Sequence, residues 1–392
     1  MPQEVVLKKS RRDAGRPGHP WVYRSQIQGV SDGLAPGDLT EIRTESGRFL
    51  GIGYFNDNSE ITVRFLSREK TSIDKDFFKT RIEKALAFRR RFVTDTNAYR
   101  VVYSEADGLP GLVLDLYGDV LVAQFLTLGM DRLKPVVLEA AREVIPCSGI
   151  YERSDSPSRR LEGLEESVGW VDRSCGAEVE VHEGSVRYRV HFEQGHKTGF
   201  YLDQRENRRL LASLGVQGSA LDVFCYEGGF ALHLAAQGVN VLGIDVQKEV
   251  LLRAEENRKL NGIPAERLEF RAANAFDELK ALEKQGRKFD LVVLDPPSFV
   301  KKKAALEGAM AGYKELLLRG MKLLNDQGLL AVFSCSYHVD ENLLMQASLG
   351  AAWDVRKNLK LIKFLKQSVD HPINPFIPET YYLKGFLFTV SD

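Results

Sequence analysis

The alternation of hydrophobic and polar positions changes character at about residue 190. From there on, short apolar runs of strand length alternate with longer segments in which apolar residues recur at helical spacing. The predicted strands span 220–224, 239–245, 268–272, 289–295 and 329–334. Helices fill the intervals, and the clearest of them span 248–260 and 304–324. Strands that alternate with helices in this way predict parallel pairing with right-handed crossovers, which is a doubly wound α/β fold.

The chain before this point carries shorter and less regular patterns, and it divides into two parts. Residues 1–70 hold alternating runs interrupted by glycine, which predict a small β-rich module. Residues 73–185 begin with a helix and continue into a hairpin that turns at Gly118 and Asp119, followed by a helix over 133–144. The expected organisation is therefore a β-rich domain (1–70), an α+β domain (73–185) and a doubly wound domain (190–392).

The composition allows conventional hydrophobic cores, since 44% of the 392 residues are hydrophobic. The cysteines are far apart and form no Cys-x-x-Cys pair, which argues against a disulfide framework and against a cysteine-ligated zinc site. They are Cys147, Cys175, Cys225 and Cys335. The first thirty residues lack the apolar centre of a signal peptide, and no later apolar run reaches membrane-spanning length. We therefore expect a cytoplasmic protein without a metal and without membrane association.

The net charge is zero, but basic residues concentrate in two places. Residues 1–25 and 79–91 each carry six lysines and arginines against no more than two acidic residues. Such a local excess is what phosphates respond to, because salt screens charges that lie beyond about 10 Å. The second segment also fits the solvated face of a helix whose apolar face holds Ile82, Leu86 and Phe92. Taken alone, it favours this solvated-face interpretation.

Two short runs follow successive predicted strands and carry the chemistry that the sequence offers. The first is 295–299 (Asp-Pro-Pro-Ser-Phe), and the second is 333–336 (Phe-Ser-Cys-Ser). The carboxyl ends of parallel strands meet at one edge of a sheet, where ligands bind. A carboxylate, Asp295, and a thiol, Cys335, are thus expected at the same rim, which suggests covalent chemistry on a pyrimidine ring. The alternative is that Cys335 is a buried small apolar residue at a strand end.

Three further strand ends predict a nucleoside cofactor. The first strand leads into Gly228 and Gly229, whose backbone and helix amides favour a carboxylate or phosphate group. The second strand ends at Asp245, where a carboxylate accepts hydrogen bonds from ribose hydroxyls. The third leads into 274–276 (Asn-Ala-Phe), which is expected to lie beside an adenine ring. Each of these is a weak signal alone, but their succession favours a nucleoside ligand.

The carboxyl half of the chain resembles the class I S-adenosylmethionine-dependent methyltransferases. The whole chain resembles the bacterial and archaeal 23S ribosomal RNA cytosine-5 methyltransferases that carry an amino-terminal PUA domain. Three segments carry the resemblance: 19–23 (His-Pro-Trp-Val-Tyr), 105–112 (Glu-Ala-Asp-Gly-Leu-Pro-Gly-Leu) and 197–205 (Lys-Thr-Gly-Phe-Tyr-Leu-Asp-Gln-Arg). It implies a PUA-like β-barrel, an α+β insert and a Rossmann-like catalytic domain.

The resemblance also implies S-adenosyl-L-methionine as the cofactor and ribosomal RNA as the substrate. The residues expected at the cofactor lie on the strand ends described above and at the entry to the catalytic domain. They are Asp222, Phe224, Cys225, Tyr226, Gly228, Gly229, Asp245, Asn274, Ala275, Asp295, Gln204 and Arg205. Within this set, Asp222 and the 225–229 loop are expected near the methionine moiety, and Cys225 is expected to be a small spacer.

The resemblance makes Cys335 the nucleophile, and the chemistry explains why a thiol is needed. Carbon 5 of cytosine is a poor nucleophile, and addition of a thiolate to carbon 6 activates it for attack on a sulfonium methyl group. Asp295 is expected to hold the base by its ring nitrogen and amino edge. The group that removes the proton from carbon 5 stays open between Asp295, Tyr337, His338 and water.

Ser298 bears on the choice between reactions. Enzymes that methylate exocyclic amines usually place an aromatic residue directly after Asp-Pro-Pro, whereas here Ser298 precedes Phe299. Ser298 also stands where another group of RNA cytosine-5 methyltransferases has a second, product-releasing cysteine, so this chain is expected to work with one cysteine. The alternative functions are guanine methylation of ribosomal RNA and a noncatalytic RNA-binding role.

Recognition of the RNA is expected from the first module and its basic edge. A PUA-like barrel reads structured RNA largely by shape and backbone contacts, which suits Arg11, Arg12, Arg16 and Arg24. The target base must leave its stack to reach Cys335, so partly unfolded RNA is preferred over an intact duplex. The sequence leaves open the modified nucleotide, the choice between free RNA and an assembling subunit, and the oligomeric state, for which a homodimer is one option.

Overall fold

The computed structural model describes residues 3–8, 18–173, 176, 178–192, 198–299 and 306–392. They belong to two compact units, each built from three stretches of chain. The first unit comprises Met1–Val181, Val190–Leu202 and Val369–Thr380, and the second comprises His182–Arg189, Asp203–Ser368 and Tyr381–Asp392. None of the helices in the described part of the chain combines the length and the hydrophobicity that spanning a bilayer requires.

The first sheet of the first unit has six strands. They are β1 (Glu4–Leu7), β2 (Trp21–Tyr23), β3 (Ile27–Val30), β4 (Leu39–Thr44), β5 (Phe49–Phe55) and β6 (Ile61–Ser67). Their spatial order is β2-β6-β5-β4-β1-β3, and only β1 and β4 pair in parallel. Val5, Ile42 and Val63 are fully buried in its core because alternate side chains of each strand face inward. The β-rich character expected for this part is confirmed.

The second sheet of the first unit has five strands in the order β11-β10-β9-β8-β7. Its elements are α1 (Lys75–Phe92), β7 (Ala98–Tyr103), β8 (Leu112–Tyr117), β9 (Val120–Phe125), α2 (Leu128–Arg132), α3 (Lys134–Val144), β10 (Gly149–Ser154), α4 (Ser158–Leu161) and β11 (Ser167–Arg173). Strands β8 and β9 form the predicted hairpin. The predicted helix is preceded by the short α2, because Pro135 lacks the amide that would continue it.

The 105–112 segment joins α1 to this sheet. Arg89 on α1 is fully buried and donates to both carboxylate oxygens of Asp107 at 2.6 and 2.8 Å. The indole of Trp21 donates to Glu105 at 2.9 Å, so two of the segments that carry the family resemblance are in contact. Gly108 adopts a left-handed conformation that ends the turn. The segment is therefore a structural junction.

The basic side chains of α1 divide between structural roles and exposure. Arg89 is buried, as described, and Arg81 donates to the carbonyls of Leu66 and Gly108. Lys79 pairs with Glu143 at 3.0 Å. Lys75 pairs with Glu139 and Glu143, whereas Lys84, Arg90 and Arg91 are exposed. The expected apolar face is correct for Ile82 and Leu86 but wrong for Phe92, which is 48% exposed because it lies in the last turn of the helix.

A two-stranded sheet, β12 (Glu178–Glu183) and β13 (Val186–His191), contributes residues to both units. The rest of the second unit is α5 (Arg205–Ala212), β14 (Ser219–Val223), α6 (Gly229–Ala236), β15 (Asn240–Asp245), α7 (Lys248–Leu260), β16 (Leu268–Ala272), α8 (Ala275–Lys284), β17 (Phe289–Leu294), α9 (Leu306–Lys322), β18 (Leu324–Ser334), α10 (Glu341–Val355), β19 (Asn358–Lys366) and β20 (Lys384–Ser391). The strand order β16-β15-β14-β17-β18-β20-β19 confirms the predicted doubly wound sheet, with parallel pairing from β16 to β18.

Two features of this sheet differ from the sequence prediction. Strand β20 lies between β18 and β19 and is antiparallel to both, an edge that we did not predict. Strand β18 begins at Leu324 and not at residue 329, because the expected turn is an irregularity within the strand. The register jumps there from Leu324 to Leu329, and Gln327 has a φ of 61°. Residue 327 is thus a turn residue held inside a pairing strand.

A buried ionic cluster links Glu183, the last residue of β12, to two helices of the second unit. Arg208 on α5 donates to both oxygens of Glu183, at 2.9 and 2.5 Å, and Nε2 of His233 on α6 lies 3.1 Å from the same carboxylate. Burial alone would raise the pKa of Glu183, but Arg208 and His233 outweigh it and hold that pKa at about 2. Glu183 therefore stays ionised at neutral pH.

Replacing Glu183 by glutamine is expected to lower the free energy of unfolding by about 3–5 kcal/mol, because Arg208 keeps a buried charge without a counterion. The folded-state pKa of Glu183, about 2, lies below its ordinary value of 4.5. Its contribution to stability is present above pH 4.5 and is lost as the pH falls toward 2. Urea unfolding at pH 7 and pH 3 measures both effects. The control is Glu269→Gln, whose carboxylate pairs with Arg271 at the surface and is expected to cost less than about 1 kcal/mol; equal losses in the two variants would contradict the prediction.

Candidate active site

The order of the strands reverses between β14 and β17, which is the switch point of the sheet. Chain connections leave these two strands in opposite directions, so a crevice opens at their carboxyl ends. Asp222 lies one residue before the end of β14, and Asp295 directly follows β17. The backbone amide of Asp295 donates to the carbonyl of Val223 at 3.4 Å, which holds the two strand ends together.

The loop between β14 and α6 is tightly folded. Phe224, Tyr226 and Gly228 all have positive φ angles, of 66°, 51° and 80°. The amides of Phe224 and Cys225 both donate to the carbonyl of Ile244 on β15. A side chain at Gly228 would place its Cβ 2.7 Å from the ring of Phe270, so only glycine fits there. Strained backbone of this kind at a helix start indicates a binding loop.

Asp245 ties this loop to the end of β15. Its Oδ2 accepts a hydrogen bond from the amide of Tyr226 at 3.0 Å, and its Oδ1 accepts one from Gln247 at 3.0 Å. Each carboxylate oxygen has two acceptor positions, so both retain one for a ligand. The predicted Asp245 and the predicted 225–229 loop therefore form one structure.

Asp222 is fully buried beneath the same loop. Its Oδ2 accepts from the amide of Ala231 at 3.0 Å, whereas its Oδ1 has no hydrogen-bond partner among the described residues. Burial, together with the charges of Asp295 and Asp245, raises the pKa of Asp222 to about 8. A buried carboxyl oxygen without a partner is costly, and it indicates a site that a ligand completes.

Cys225 points away from the crevice. It is buried in a small cluster with Leu251, Ala254 and Phe270. A Cβ built on Gly243 would lie 3.2 Å from its sulfur, which leaves no room for a longer side chain. Burial raises the pKa of the Cys225 thiol, so it stays protonated. This packing agrees with the expectation that Cys225 is a small spacer.

Asn274 and Ala275 lie where the sequence placed them, at the start of α8. The Asn274 side chain caps this helix by accepting from the amides of Phe276 and Asp277, at 3.0 and 3.4 Å. Asn274 is exposed and Ala275 is buried. The capping role explains the position of the asparagine oxygen. The side-chain amino group of Asn274 takes no part in the cap.

Gln204 and Arg205 lie at the start of α5, where Gln204 is the N-cap residue. The side chain of Gln204 donates to Oδ2 of Asp295 at 2.9 Å and accepts from Asn207 at 2.6 Å. Arg205 is almost fully buried and pairs with Glu206 at 3.0 Å. The structure therefore brings Gln204 to the predicted catalytic carboxylate, whereas the contact that it gives Arg205 is a neighbouring glutamate.

The two runs that carry the carboxylate and the thiol are in direct contact. The hydroxyl oxygens of Ser298 and Ser336 lie 3.0 Å apart, which links the loop after β17 to the loop after β18. Cys335 is half-buried and directly follows β18. The structure thus places the predicted thiol and the predicted carboxylate on adjoining loops at one rim.

Tyr313 on α9 is a further residue of this rim. Its hydroxyl donates to the Oγ of Ser334 at 2.8 Å, next to Cys335. Burial raises the pKa of Tyr313 to about 12, and negative charge on Cys335 and Asp295 adds to that rise. No sequence pattern indicated this role, because Tyr313 occupies a position of ordinary helical core spacing.

Glu227 is a second residue that sequence reasoning missed. It is buried in the loop between β14 and α6 and accepts from Arg253 on α7 at 2.6 Å, while its Oε2 has no partner among the described residues. Burial raises the pKa of Glu227 to about 7, against the lowering effect of Arg253. A charged residue inside a glycine-containing turn is the one signal that would have indicated it.

Phe299 packs toward the helices. Its ring lies 5.0 Å from that of Tyr313 and 6.5 Å from that of Phe276, centroid to centroid. A Cβ on Gly312 of α9 would also contact it, at 3.7 Å. The aromatic residue that follows Asp-Pro-Pro-Ser is therefore engaged in the core next to the site.

Some predicted residues lie outside the described part of the chain. They are Lys197 of the 197–205 segment, Cys175, and the basic residues Arg11, Arg12 and Arg16. Besides Asp295, two candidates for the proton-removing group are described, Tyr337 and His338. Tyr337 is 65% exposed, and its ring lies 5.4 Å from that of His338. No group of three or more His, Cys, Asp or Glu side chains that could hold a metal ion occurs in the residues that the structure describes.

Two family models match the chain. Residues 5–68 match the PUA-like domain, and residues 163–372 match the S-adenosylmethionine-dependent methyltransferase family. The second match includes both carboxylates of the switch point, the loop after β14, and Cys335.

Curated relatives match over the full length. Ribosomal RNA large subunit methyltransferase I of Alteromonas mediterranea is 37% identical over 396 residues, with 100% of each chain covered. The protein of the same name from Shewanella denitrificans is 36% identical, again with 100% of each chain covered.

Solved structures share the fold. A protein from Streptococcus mutans, assigned as an S-adenosylmethionine-dependent methyltransferase, superposes with a TM-score of 0.84 at 18% identity and covers 98% of this chain and 99% of its own. Another assigned methyltransferase, solved in complex with SAH, gives a TM-score of 0.85 at 19% identity with the same coverage. At these identities the likeness concerns the fold.

Proposed function

Since the chain belongs to the S-adenosylmethionine-dependent methyltransferases, and among them to the family of ribosomal RNA large subunit methyltransferase I, we propose that it methylates carbon 5 of a cytosine in large-subunit ribosomal RNA through a covalent adduct with Cys335. Membership of this family confirms the resemblance drawn from the sequence and the identity of the cofactor. The target atom and the roles of individual residues are the content of the proposal.

The residues of the β14 to β15 edge fit the cofactor. The unpartnered Oδ1 of Asp222 suits a cationic or hydrogen-bond-donating group, and the free acceptor positions of Asp245 suit ribose hydroxyls. Gly228 and Gly229 allow close approach of a ligand to the backbone at the start of α6. Asn274 and Ala275 lie beside the adenine of the cofactor in this proposal. When bound, S-adenosylmethionine supplies an electrophilic methyl group on a sulfonium.

Cys335 provides the nucleophile that cytosine lacks at carbon 5. Its thiolate bonds to carbon 6, and the electron pair of the 5,6 double bond becomes available at carbon 5 for methyl transfer. A base then removes the proton from carbon 5, the double bond reforms, and the bond from carbon 6 to sulfur breaks. The thiolate leaves unchanged, so a single cysteine completes the cycle.

Asp295 holds the target base. The hydrogen bond from Gln204 to its Oδ2 orients the carboxylate. Asp295 then hydrogen-bonds the amino edge or the ring nitrogen of the cytosine. Charge that develops on the ring nitrogen during thiol addition is stabilised if Asp295 carries a proton. The group that removes the carbon 5 proton stays open between Asp295, Tyr337, His338 and water.

The observation that carries this proposal is the hydrogen bond between Ser298 and Ser336, at 3.0 Å. It joins the loop of the carboxylate to the loop of the thiol, which is the arrangement that addition to a held pyrimidine requires. Guanine methylation, the alternative, needs no thiol at this position. An aromatic platform for an exocyclic amine is also not provided by Phe299, whose ring packs against Tyr313.

Recognition of ribosomal RNA is assigned to the PUA-like domain and its basic edge. Of the arginines expected there, the described Arg24 is half exposed and also bonds to the carbonyl of Asp57. Binding by shape and phosphate contacts makes affinity depend on salt. A ribosomal RNA substrate accords with a cytoplasmic location, and a homodimer remains a prediction that light scattering would test.

The test is transfer of label from S-adenosylmethionine to ribosomal RNA prepared from cells that lack the protein. Nucleoside analysis of the product is expected to yield 5-methylcytidine at one position, and bisulfite sequencing then identifies the position. Methylguanine as the product would replace the proposal with the alternative reaction. Absence of any transfer to naked RNA and to assembling subunits would favour the noncatalytic role.

Cofactor binding is expected to release a proton from Asp222. The pKa of Asp222 is raised to about 8, so the free site holds it protonated at pH 7, and a cationic ligand beside it favours the carboxylate. Affinity for S-adenosylmethionine should therefore rise by up to about tenfold between pH 6 and pH 7. Titration calorimetry in two buffers of different ionisation enthalpy counts the protons.

The matched variant is Asp222→Asn, which keeps the shape of the side chain and cannot ionise. It should release about one proton fewer than the wild type at pH 7. The neighbouring charges of Asp245, Asp295 and Arg208 are the same in both proteins, so the difference isolates Asp222. Equal proton release would show that Asp222 does not titrate with the cofactor.

A further inference from the structure

Lys384 is a buried lysine beside the proposed nucleophile. It is the first residue of β20 and is only 5% exposed. Strand β20 runs antiparallel to β18, and Lys384 stands directly opposite Ser334, the residue before Cys335. Side chains directly opposite in an antiparallel pair share one face, with Cβ atoms about 4.5–5.5 Å apart. Lys384 therefore lies beside the strand end that Cys335 directly follows.

The surroundings of Lys384 do not neutralise it by direct contact. Among the described residues, its Nζ has no hydrogen-bond or ion-pair partner, and its nearest recorded neighbour is the ring of Tyr381, 5.6 Å from Nζ to the centroid. Lysine is almost never fully buried unless it is paired. A lysine whose side chain is largely buried, at the rim of a reaction site, indicates a functional charge.

The charged groups that reach Lys384 come from two places. Asp340 and Glu341 at the start of α10 act on it electrostatically, and so does Cys335. Burial lowers the pKa of Lys384, while these three groups favour its charged form. The interaction is mutual, because an ammonium that a thiolate stabilises also stabilises the thiolate. Tyr313 also interacts electrostatically with Cys335, and it carries no positive charge.

We propose that Lys384 is a positioning residue that keeps Cys335 in its thiolate form, ready to add to carbon 6 of the pyrimidine. The thiol loses its proton to solvent, and the ammonium of Lys384 pairs with the resulting thiolate. When the bond from carbon 6 to sulfur breaks, the same ammonium receives the departing thiolate. This inference rests on the proposed covalent function, and it assigns a residue that acts through the nucleophile.

The structure offers a matched control in Lys366 on β19. Lys366 stands opposite Lys384 on the other side of β20, and its Nζ lies 5.4 Å from the same Tyr381 ring. It is exposed, and no described thiol adjoins it on the edge strand. The two lysines therefore share a strand pair and an aromatic neighbour, and they differ in burial and in their proximity to Cys335.

The experiment is alkylation of Cys335 by iodoacetamide as a function of pH, read for the Cys335 peptide by mass spectrometry. In Lys384→Met, the midpoint of the profile is expected to rise by about one pH unit, with alkylation at pH 7 slowed about tenfold. Lys384→Arg, which keeps the charge, and Lys366→Met should both retain the wild-type midpoint. Methyl transfer by Lys384→Met should recover as the pH is raised, with kcat changing and KM for RNA unchanged.

An unchanged midpoint in Lys384→Met would overturn the inference, as would an equal shift in Lys366→Met. Thermal unfolding and cofactor binding establish that the variant is folded, and Lys384→Gln serves if methionine is not tolerated. The proposed function fails separately, if loss of the Cys335 thiol leaves methylation intact. A shifted alkylation profile would then still establish the contact between Lys384 and Cys335.

Discussion

Replacing Cys335 by alanine is expected to lower kcat for methyl transfer by a factor on the order of 10⁴, because the reaction loses its nucleophile. Carbon 5 of cytosine then has no route to the electron density that attack on the methyl group requires. Affinity for S-adenosylmethionine should be unchanged, since the thiol lies on the loop after β18 and the residues proposed for the cofactor lie elsewhere. Single-turnover transfer of labelled methyl to ribosomal RNA measures the loss.

The control is Cys147→Ala, which removes a thiol that packs against the core of the five-stranded sheet. It should retain wild-type kcat. A second readout uses RNA that carries 5-fluorocytidine, because fluorine at carbon 5 cannot be removed as a proton and the adduct persists. Wild-type enzyme should give a denaturation-resistant complex, and Cys335→Ala should give none. Methylation by Cys335→Ala at the wild-type rate would dismiss the thiol mechanism and favour guanine as the target.

The fold of the catalytic part was accessible from the sequence because its signal is local. Five apolar runs separated by helical spacing leave few arrangements other than a doubly wound sheet. The antiparallel edge was not accessible in this way. Strand β19 alternates lysine with apolar residues and is largely exposed, so its pattern resembles a surface segment, and the placement of β20 between β18 and β19 is a tertiary choice.

The residues of the candidate site also fall into those that the sequence predicted and those that depend on tertiary packing. Asp245 and Asp295 were predicted because each stands at the end of a parallel strand, and the topology of the sheet brings strand ends together. Asp222 was predicted through the family resemblance. Tyr313 and Lys384 were not, because their positions depend on how α9 and β20 pack, and no sequence spacing links them to Cys335. Gln204 was predicted through the family resemblance alone, because its bond to Asp295 spans 91 residues and no sequence spacing links the two.

In the amino-terminal half, the structure gives roles to residues that the sequence marked only by pattern. The 105–112 segment was used as a family signature, and the structure gives it a mechanical role, since Asp107 holds the buried Arg89 and Glu105 holds Trp21. The number of lysines and arginines in α1 overestimates the positive charge at its surface, because Arg81 and Arg89 form hydrogen bonds inside the protein. Burial cannot be read from charge alone, and it decides which arginines are free to meet a phosphate.

Replacing Asp295 by asparagine is the second change from which we expect a large effect, a fall in kcat of about 10²–10⁴-fold. Asparagine keeps the size of the side chain and can still accept from Gln204, so the loop should keep its geometry. It cannot carry a proton to the ring nitrogen, and it cannot hold the amino edge with a charged oxygen. The stage that suffers is therefore thiol addition, before methyl transfer.

Formation of the adduct with 5-fluorocytidine RNA measures that stage directly and should slow in Asp295→Asn in proportion to kcat. Alkylation of Cys335 by iodoacetamide should be little affected, because the thiol itself is intact. The matched control is Asp290→Asn, the same substitution at the opposite end of β17, where the carboxylate bonds to Ser219 and Asn325 far along the strand from the rim. Its kcat should stay within a factor of about three of the wild type, since surface changes remote from the chemistry have small effects. If Asp295→Asn forms the adduct as fast as the wild type while product appears slowly, the carboxylate acts after methyl transfer, as the group that removes the carbon 5 proton, and the base-holding role assigned to it is wrong.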